Sequence, residues 1–289
     1  MKILVGVVPD ASGSDAIALA AVLQKAFNAD VVLGNIYPHA AARGGVRKVD
    51  AEWLEYLKAD ARDVLSDVAI STRQRGLQSY ETAIHGHPSS GVGLAELAEM
   101  VSADLIVIGS APGSANGRFL IGSTADQLLH GSHVPVALAP AGYRRVQPEA
   151  LGRMVVAFQD TPESRRALAW AAQHSDGREM TALTVLLRHR VMGSSQAFDG
   201  ENLIVEQVRR EAQESLDEAL SELDASATAA ITAGDDTVSA LQRLDWNGDE
   251  LLVLASSKGG VLRRVFLGDM TYKLVRATPV PAVVLPRHT

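Results

Sequence analysis

The segment DLIVIGSAPGSANGRFLIGSTADQLLHGSHVPVALAP, residues 104–140, returns 146 residues later and without a gap as ELLVLASSKGGVLRRVFLGDMTYKLVRATPVPAVVLP, residues 250–286. Gly122 falls on Gly268, Pro135 on Pro281 and Pro140 on Pro286. Both copies read as an apolar strand, a glycine-containing loop, a helix and a second apolar strand. A chain of 289 residues that repeats such a unit is constrained to two like domains rather than one enlarged core. A glycine loop running into a helix N-terminus is also a ready anion site. The repeat therefore sets the architecture and says where to look for a ligand.

The rest of each half fits the same alternation. The first half predicts strands at 2–8, 31–36, 80–84, 104–109 and 134–139. Helices fall between them at about 14–27, 50–75, 89–101 and 123–131. The long helix carries Trp53, Leu54, Leu57, Val64, Leu65 and Val68 as an amphipathic stripe, and packing is the expected role of Trp53, Trp170 and Trp246. The second half predicts strands at 154–158, 180–186, 228–232, 250–255 and 280–285. Its helices begin at Thr161-Pro162 and then span about 201–223, 236–244 and 269–277. Strictly alternating strands and helices argue for an α/β fold on a parallel sheet. Residues 141–152, AGYRRVQPEALG, read as a linker between domains at 1–141 and 152–289. The closing strands VPVALAP and VPAVVLP would be equivalent edges, free to pair with each other about a pseudo-twofold axis.

Composition narrows the function. Net charge is −7, which argues against a broad nucleic-acid footprint. The chain has no cysteine, which excludes disulfides, thiolate metal sites and cysteine nucleophiles and fits a cytoplasmic protein. No apolar run reaches membrane-spanning length, so no membrane partner is expected.

With these elements in place, the chain resembles a tandem universal stress protein of the UspA type, in the adenine nucleotide alpha hydrolase-like superfamily. The resemblance rests on the βαβαβαβαβ order and on two opening segments, VVPDASGSDAIALA and VVAFQDTPESRRALAWAA. It rests also on the strand–loop–helix near each half's end, where nucleotide-binding members carry G-x2-G-x9-G-[ST]. It implies two tandem flavodoxin/Rossmann-like doubly wound parallel five-stranded sheets related by a pseudo-twofold, with ligand at the carboxyl ends of the strands. It further implies ATP or a related adenine nucleotide as ligand and a regulatory or protective role rather than metabolic catalysis.

Carried onto this sequence, Gly109 matches the motif's first glycine and Gly122-Ser123 its last pair, while Pro112 stands at the second glycine. Gly109 would let backbone pass close to ligand, and Gly122 would admit phosphate to the start of the helix at 123–131. Ser123 and Thr124 would donate hydroxyl and backbone hydrogen bonds there, and Pro112 removes one N–H. Asp10 either contacts ribose or adenine or shapes its turn. Backbone near Asn35 and Ile36 could face the adenine edge. The second copy has Ala255, Lys258 and Gly268-Asp269 at the motif positions, and a carboxylate at a helix N-terminus caps the helix and repels polyphosphate. Nucleotide is therefore expected in the N-terminal half only.

Other constellations carry less. Ser12-Gly13-Ser14-Asp15 is similar to a pyrophosphate loop but reads better as a helix start capped by Ser12 or Ser14. His85-Gly86-His87-Pro88 reads as a turn, since two histidines make no metal set. No nucleophile–base–orienter set is assignable, so no catalytic residue and no metal site is expected. The competing readings are an interaction protein that has lost nucleotide binding, motivated by Pro112, Ala255, Lys258 and Asp269, and a slow ATP hydrolase. Fused halves already supply one pseudo-dimer, which leaves a monomer and a homodimer of such chains both open.

Overall fold

The computed structural model of the chain describes residues 1–39, 48–187, 199–223, 225–256 and 269–287. The first half runs β1 (Lys2–Gly6), α1 (Ala11–Phe27), β2 (Asp30–Tyr37), α2 (Lys48–Gln74), β3 (Glu81–Gly86), α3 (Ser90–Met100), β4 (Leu105–Gly109), α4 (Ser123–Gly131) and β5 (Val136–Ala139). After α5 (Tyr143–Val146) the second half runs β6 (Arg153–Ala157), α6 (Pro162–Ser175), β7 (Glu179–Leu187), α7 (Asp199–Ser221) and β8 (Thr228–Gly234). It ends with α8 (Thr237–Leu241), β9 (Glu250–Ala255), α9 (Asp269–Ala277) and β10 (Ala282–Leu285).

The strands form one ten-stranded sheet in the order β3-β2-β1-β4-β5-β10-β9-β6-β7-β8. Within each half every pairing is parallel. The halves join where β5 and β10 pair antiparallel, with Ala137 opposite Val283. The inner strands are continuous apolar runs because helices cover both faces. Ile3 and Val5 of β1 enter one buried cluster, and Leu4 between them enters the other. Both clusters contain residues from both halves, so the core runs through the seam on each face of the sheet. Side-chain contacts also cross between the halves. Trp170 meets Phe27 edge-on with centroids 6.1 Å apart, and the Arg178 guanidinium donates to the Ala26 carbonyl at 2.9 Å.

Two local readings change. The segment expected to be a plain linker contains α5, whose N-terminus is set by a carboxylate far away in sequence. Buried Asp15 on α1 accepts the Gly142 N–H at 2.8 Å, the Arg144 N–H at 3.0 Å and the Arg144 guanidinium at 2.8 Å. Burial also pushes the Tyr143 phenol in α5 well above its ordinary pKa, and the negative charge of Asp249 adds to this. Trp53 is not core: it is 60% exposed and stacks on Tyr56, with centroids 5.2 Å apart. Trp246 does pack, donating its indole N–H to the Leu241 carbonyl. Among the described residues no helix is long and apolar enough to cross a membrane.

Candidate functional site

In the first half the strand order reverses between β1 and β4, and a cleft of about 250 Å³ opens there at the carboxyl ends of β1, β2 and β4. Asp10, Gly109, Gly122, Ser123 and Thr124 all line it, together with Pro112. The sequence reading missed Gly6, Gly34, Ser12 and Ser90, which also line it.

Two of the expected roles acquire different physical reasons. Asp10, not Ser12 or Ser14, is the N-cap of α1, and its Oδ1 accepts the N–H groups of Ser12 at 2.8 Å and Gly13 at 3.1 Å. It therefore shapes the turn at the cleft's rim. Gly109 is required by chain packing before any ligand is considered. A Cβ there would lie 2.1 Å from the Ser12 carbonyl oxygen, which is backbone and cannot swing aside. Gly109→Ala should therefore cost about 1–3 kcal/mol of stability, as overpacked sites do. A urea titration showing no shift in midpoint would contradict this close approach.

Gly122 is the N-cap of α4 in extended backbone, and no side chain caps that helix end. A helix start leaves its first N–H groups without intrahelical acceptors, and these carry the positive end of the dipole. Exposed Ser123 and half-buried Thr124 occupy this first turn. Behind it, Gln127 Oε1 accepts from the Ser89 hydroxyl at 2.6 Å and the Gly91 N–H at 3.1 Å, which fixes α4 against α3. At the opposite wall the Asn35 amide donates to the Val7 carbonyl at 2.9 Å, so this side chain ties the ends of β1 and β2 together.

Among the described residues, the corresponding place in the second half holds a cavity of about 30 Å³. Strand register identifies residues that differ between the halves. Gly6 pairs with Gly34 across β1 and β2, and the matching pair across β6 and β7 is Ala157 with Leu183. Ala255 stands where the first half has Gly109. The second half thus carries side chains at three positions where the first has glycine, and Ala157, Leu183 and Ala255 all line its small cavity. Thr184 donates to the Phe158 carbonyl at 3.2 Å, the counterpart of the Asn35 bond, so the strand ends are tied alike in both halves. Lys258, Gly268 and the Asp269 side chain lie outside the described residues.

The HGHP segment, expected as a turn, is one only in part: His85 and Gly86 end β3, paired with Ile36 and Tyr37, and His87-Pro88 leaves the strand. His85 bonds to Glu96 at 2.8 Å, and that hydrogen bond holds the Glu96 carboxyl below its ordinary pKa. Among the described residues no group of three or more His, Cys, Asp or Glu is placed to hold a metal ion.

The universal stress protein family model matches residues 1–140 and again 151–286. A universal stress protein of Mycobacterium tuberculosis strain H37Rv is 31% identical, aligned over 99% of this chain and 100% of that protein. A Mycobacterium bovis universal stress protein matches to the same extent. Among solved structures, a universal stress protein from Archaeoglobus fulgidus superposes with a TM-score of 0.66 at 18% identity, covering 99% of this chain and 98% of that one. Two family matches spanning the chain, on halves that repeat one strand order, establish that it belongs to the universal stress protein family as a tandem pair of such units.

Proposed function

We propose that this stress protein binds ATP or a related adenine nucleotide in its N-terminal half alone, and acts as a regulatory or protective module rather than a metabolic enzyme. The observation that carries this is the open cleft of about 250 Å³ facing an α4 N-terminus that no side chain caps, while the second half has Ala255 and Asp269 where the first has Gly109 and Ser123. In this reading the phosphates sit against the first turn of α4. Gly122 admits them, and Ser123 and Thr124 donate backbone and hydroxyl hydrogen bonds. Gly109 and Asp10 hold the rim that the nucleoside passes. Pro112 offers no N–H, so phosphate binding rests on α4 rather than on the loop.

Binding without turnover follows from the same lining. Asp10 is the one titratable residue among the described residues around the cleft, and it already accepts two helix N–H groups. No general base then serves a nucleophile at Ser123. The unequal pair is read as two domains, 1–141 and 152–289, that form within one chain the dimer two separate units would make. Its second member is structural.

Calorimetric titration of the full chain with ATP up to millimolar concentration tests the proposal. One saturable site per chain is expected. No heat of binding from a folded sample would leave the interaction-protein reading in its place.

A further inference from the structure

We infer that the second half fixes the cleft-lining loop of the first half, through Arg118 seated on the C-terminal end of α9. The functional side of this inference rests on the nucleotide reading above. Residues 110–122 connect β4 to α4, and Ala111, Pro112 and Gly122 line the open cleft. Within that loop the Ala111 N–H donates to the Leu120 carbonyl at 3.1 Å and the Leu120 N–H to the Ser110 hydroxyl at 2.8 Å. These bonds close the base of the loop, with residues 112–119 between them.

The tip of the loop is tied down both within its own half and from across the seam. The Gly117 N–H donates to the Ala141 carbonyl at 2.8 Å, and the Ala141 N–H donates back to the Arg118 carbonyl at 2.9 Å. The Arg118 guanidinium then crosses the seam and donates through Nη1 to the carbonyl of Ala277, the last residue of α9. That carbonyl is one of the four a helix leaves without an intrahelical donor, and it carries the negative end of the dipole. A guanidinium is the cation best suited to it, being always charged and weakly hydrated. Ala277 is buried, and Phe119, next to Arg118, enters the same apolar cluster as Ala277, Leu274 and Val280. The loop is thus anchored by one charged bond and one buried ring. In the repeat alignment the position of Arg118 is filled by Arg264, although most of the loop differs between copies.

Arg118 is therefore a positioning residue: it touches no cleft atom, yet sets the loop that frames the cleft. The second half becomes the support for the first.

Hydrogen exchange of the full chain, compared for wild type, Arg118→Ala and Arg118→Lys, tests this. In Arg118→Ala, peptides covering 110–120 should exchange roughly tenfold faster, while β1 and β4 peptides stay unchanged, and Arg118→Lys should recover part of the protection. ATP affinity should fall by about three- to tenfold in the same variant. Unchanged exchange in the loop, acceleration spread evenly over the whole chain, or unaltered ATP affinity where wild type binds ATP overturns the inference. If wild type binds no ATP, the nucleotide reading fails on its own and the exchange comparison still decides the role of Arg118.

Discussion

Ser123→Asp should lower ATP affinity of the full chain by more than about 100-fold while leaving its unfolding midpoint unchanged or slightly raised. The substitution copies into the open cleft the residue that the second half carries at the matching position, Asp269. Ser123 is exposed at the first turn of α4, so the added carboxylate meets no packed wall. Toward the helix it is favourable, by about 0.3–1 kcal/mol at an N-terminus. Toward a phosphate it is strongly unfavourable. Two like charges about 4 Å apart repel by roughly 4 kcal/mol at an effective dielectric near 20, and the carboxylate competes for the same N–H groups. Stability and affinity should therefore move in opposite directions, which loss of fold would not produce. Retained affinity would show that the phosphates do not lie at α4.

The largest stability effect is expected at Asp15. Its side chain is only 3% exposed and holds three donors, two of them backbone N–H groups of the segment joining the halves. Asp15→Ala removes the acceptor for all three and leaves the Arg144 guanidinium beside a buried gap, a loss of about 3–5 kcal/mol. Arg144→Ala should cost less, because the carboxylate keeps both N–H bonds. Urea unfolding of the two variants checks the order. An Arg144→Ala loss equal to that of Asp15→Ala would mean that the ion pair, rather than the capping of α5, carries the energy.

What was legible in the sequence was local. Apolar runs such as KILVG and LIVIG announce buried parallel strands by themselves, and the repeat announces two units. The closing strands even indicated their own pairing, since an apolar edge needs a partner. Features that depend on distant residues were not legible. α5 is four residues long and starts where it does because of a carboxylate on α1. Gly6 and Gly34 became informative only once register set them opposite each other and set Ala157 opposite Leu183. Gly109 was found by its place in the motif, but its reason, the approach of the Ser12 carbonyl, belongs to how α1 lies across β4. Trp53 looked like part of an inward stripe. α2 turns that position outward, which periodicity alone does not distinguish for a residue at the stripe's border.

The antiparallel joint of β5 and β10 also bears on how chains meet one another. Two separate five-stranded sheets would present four strand edges to solvent, each a template for unwanted pairing. Joining them inside one chain removes the two most apolar, VALA and AVVL, and leaves β3 and β8 as the outer edges. β3 opens with Glu81 and β8 with Thr228, both exposed, so the remaining edges are polar where they begin. Fusion thus makes the apolar edge contact independent of protein concentration, and a dilute chain keeps it covered as well as a crowded one.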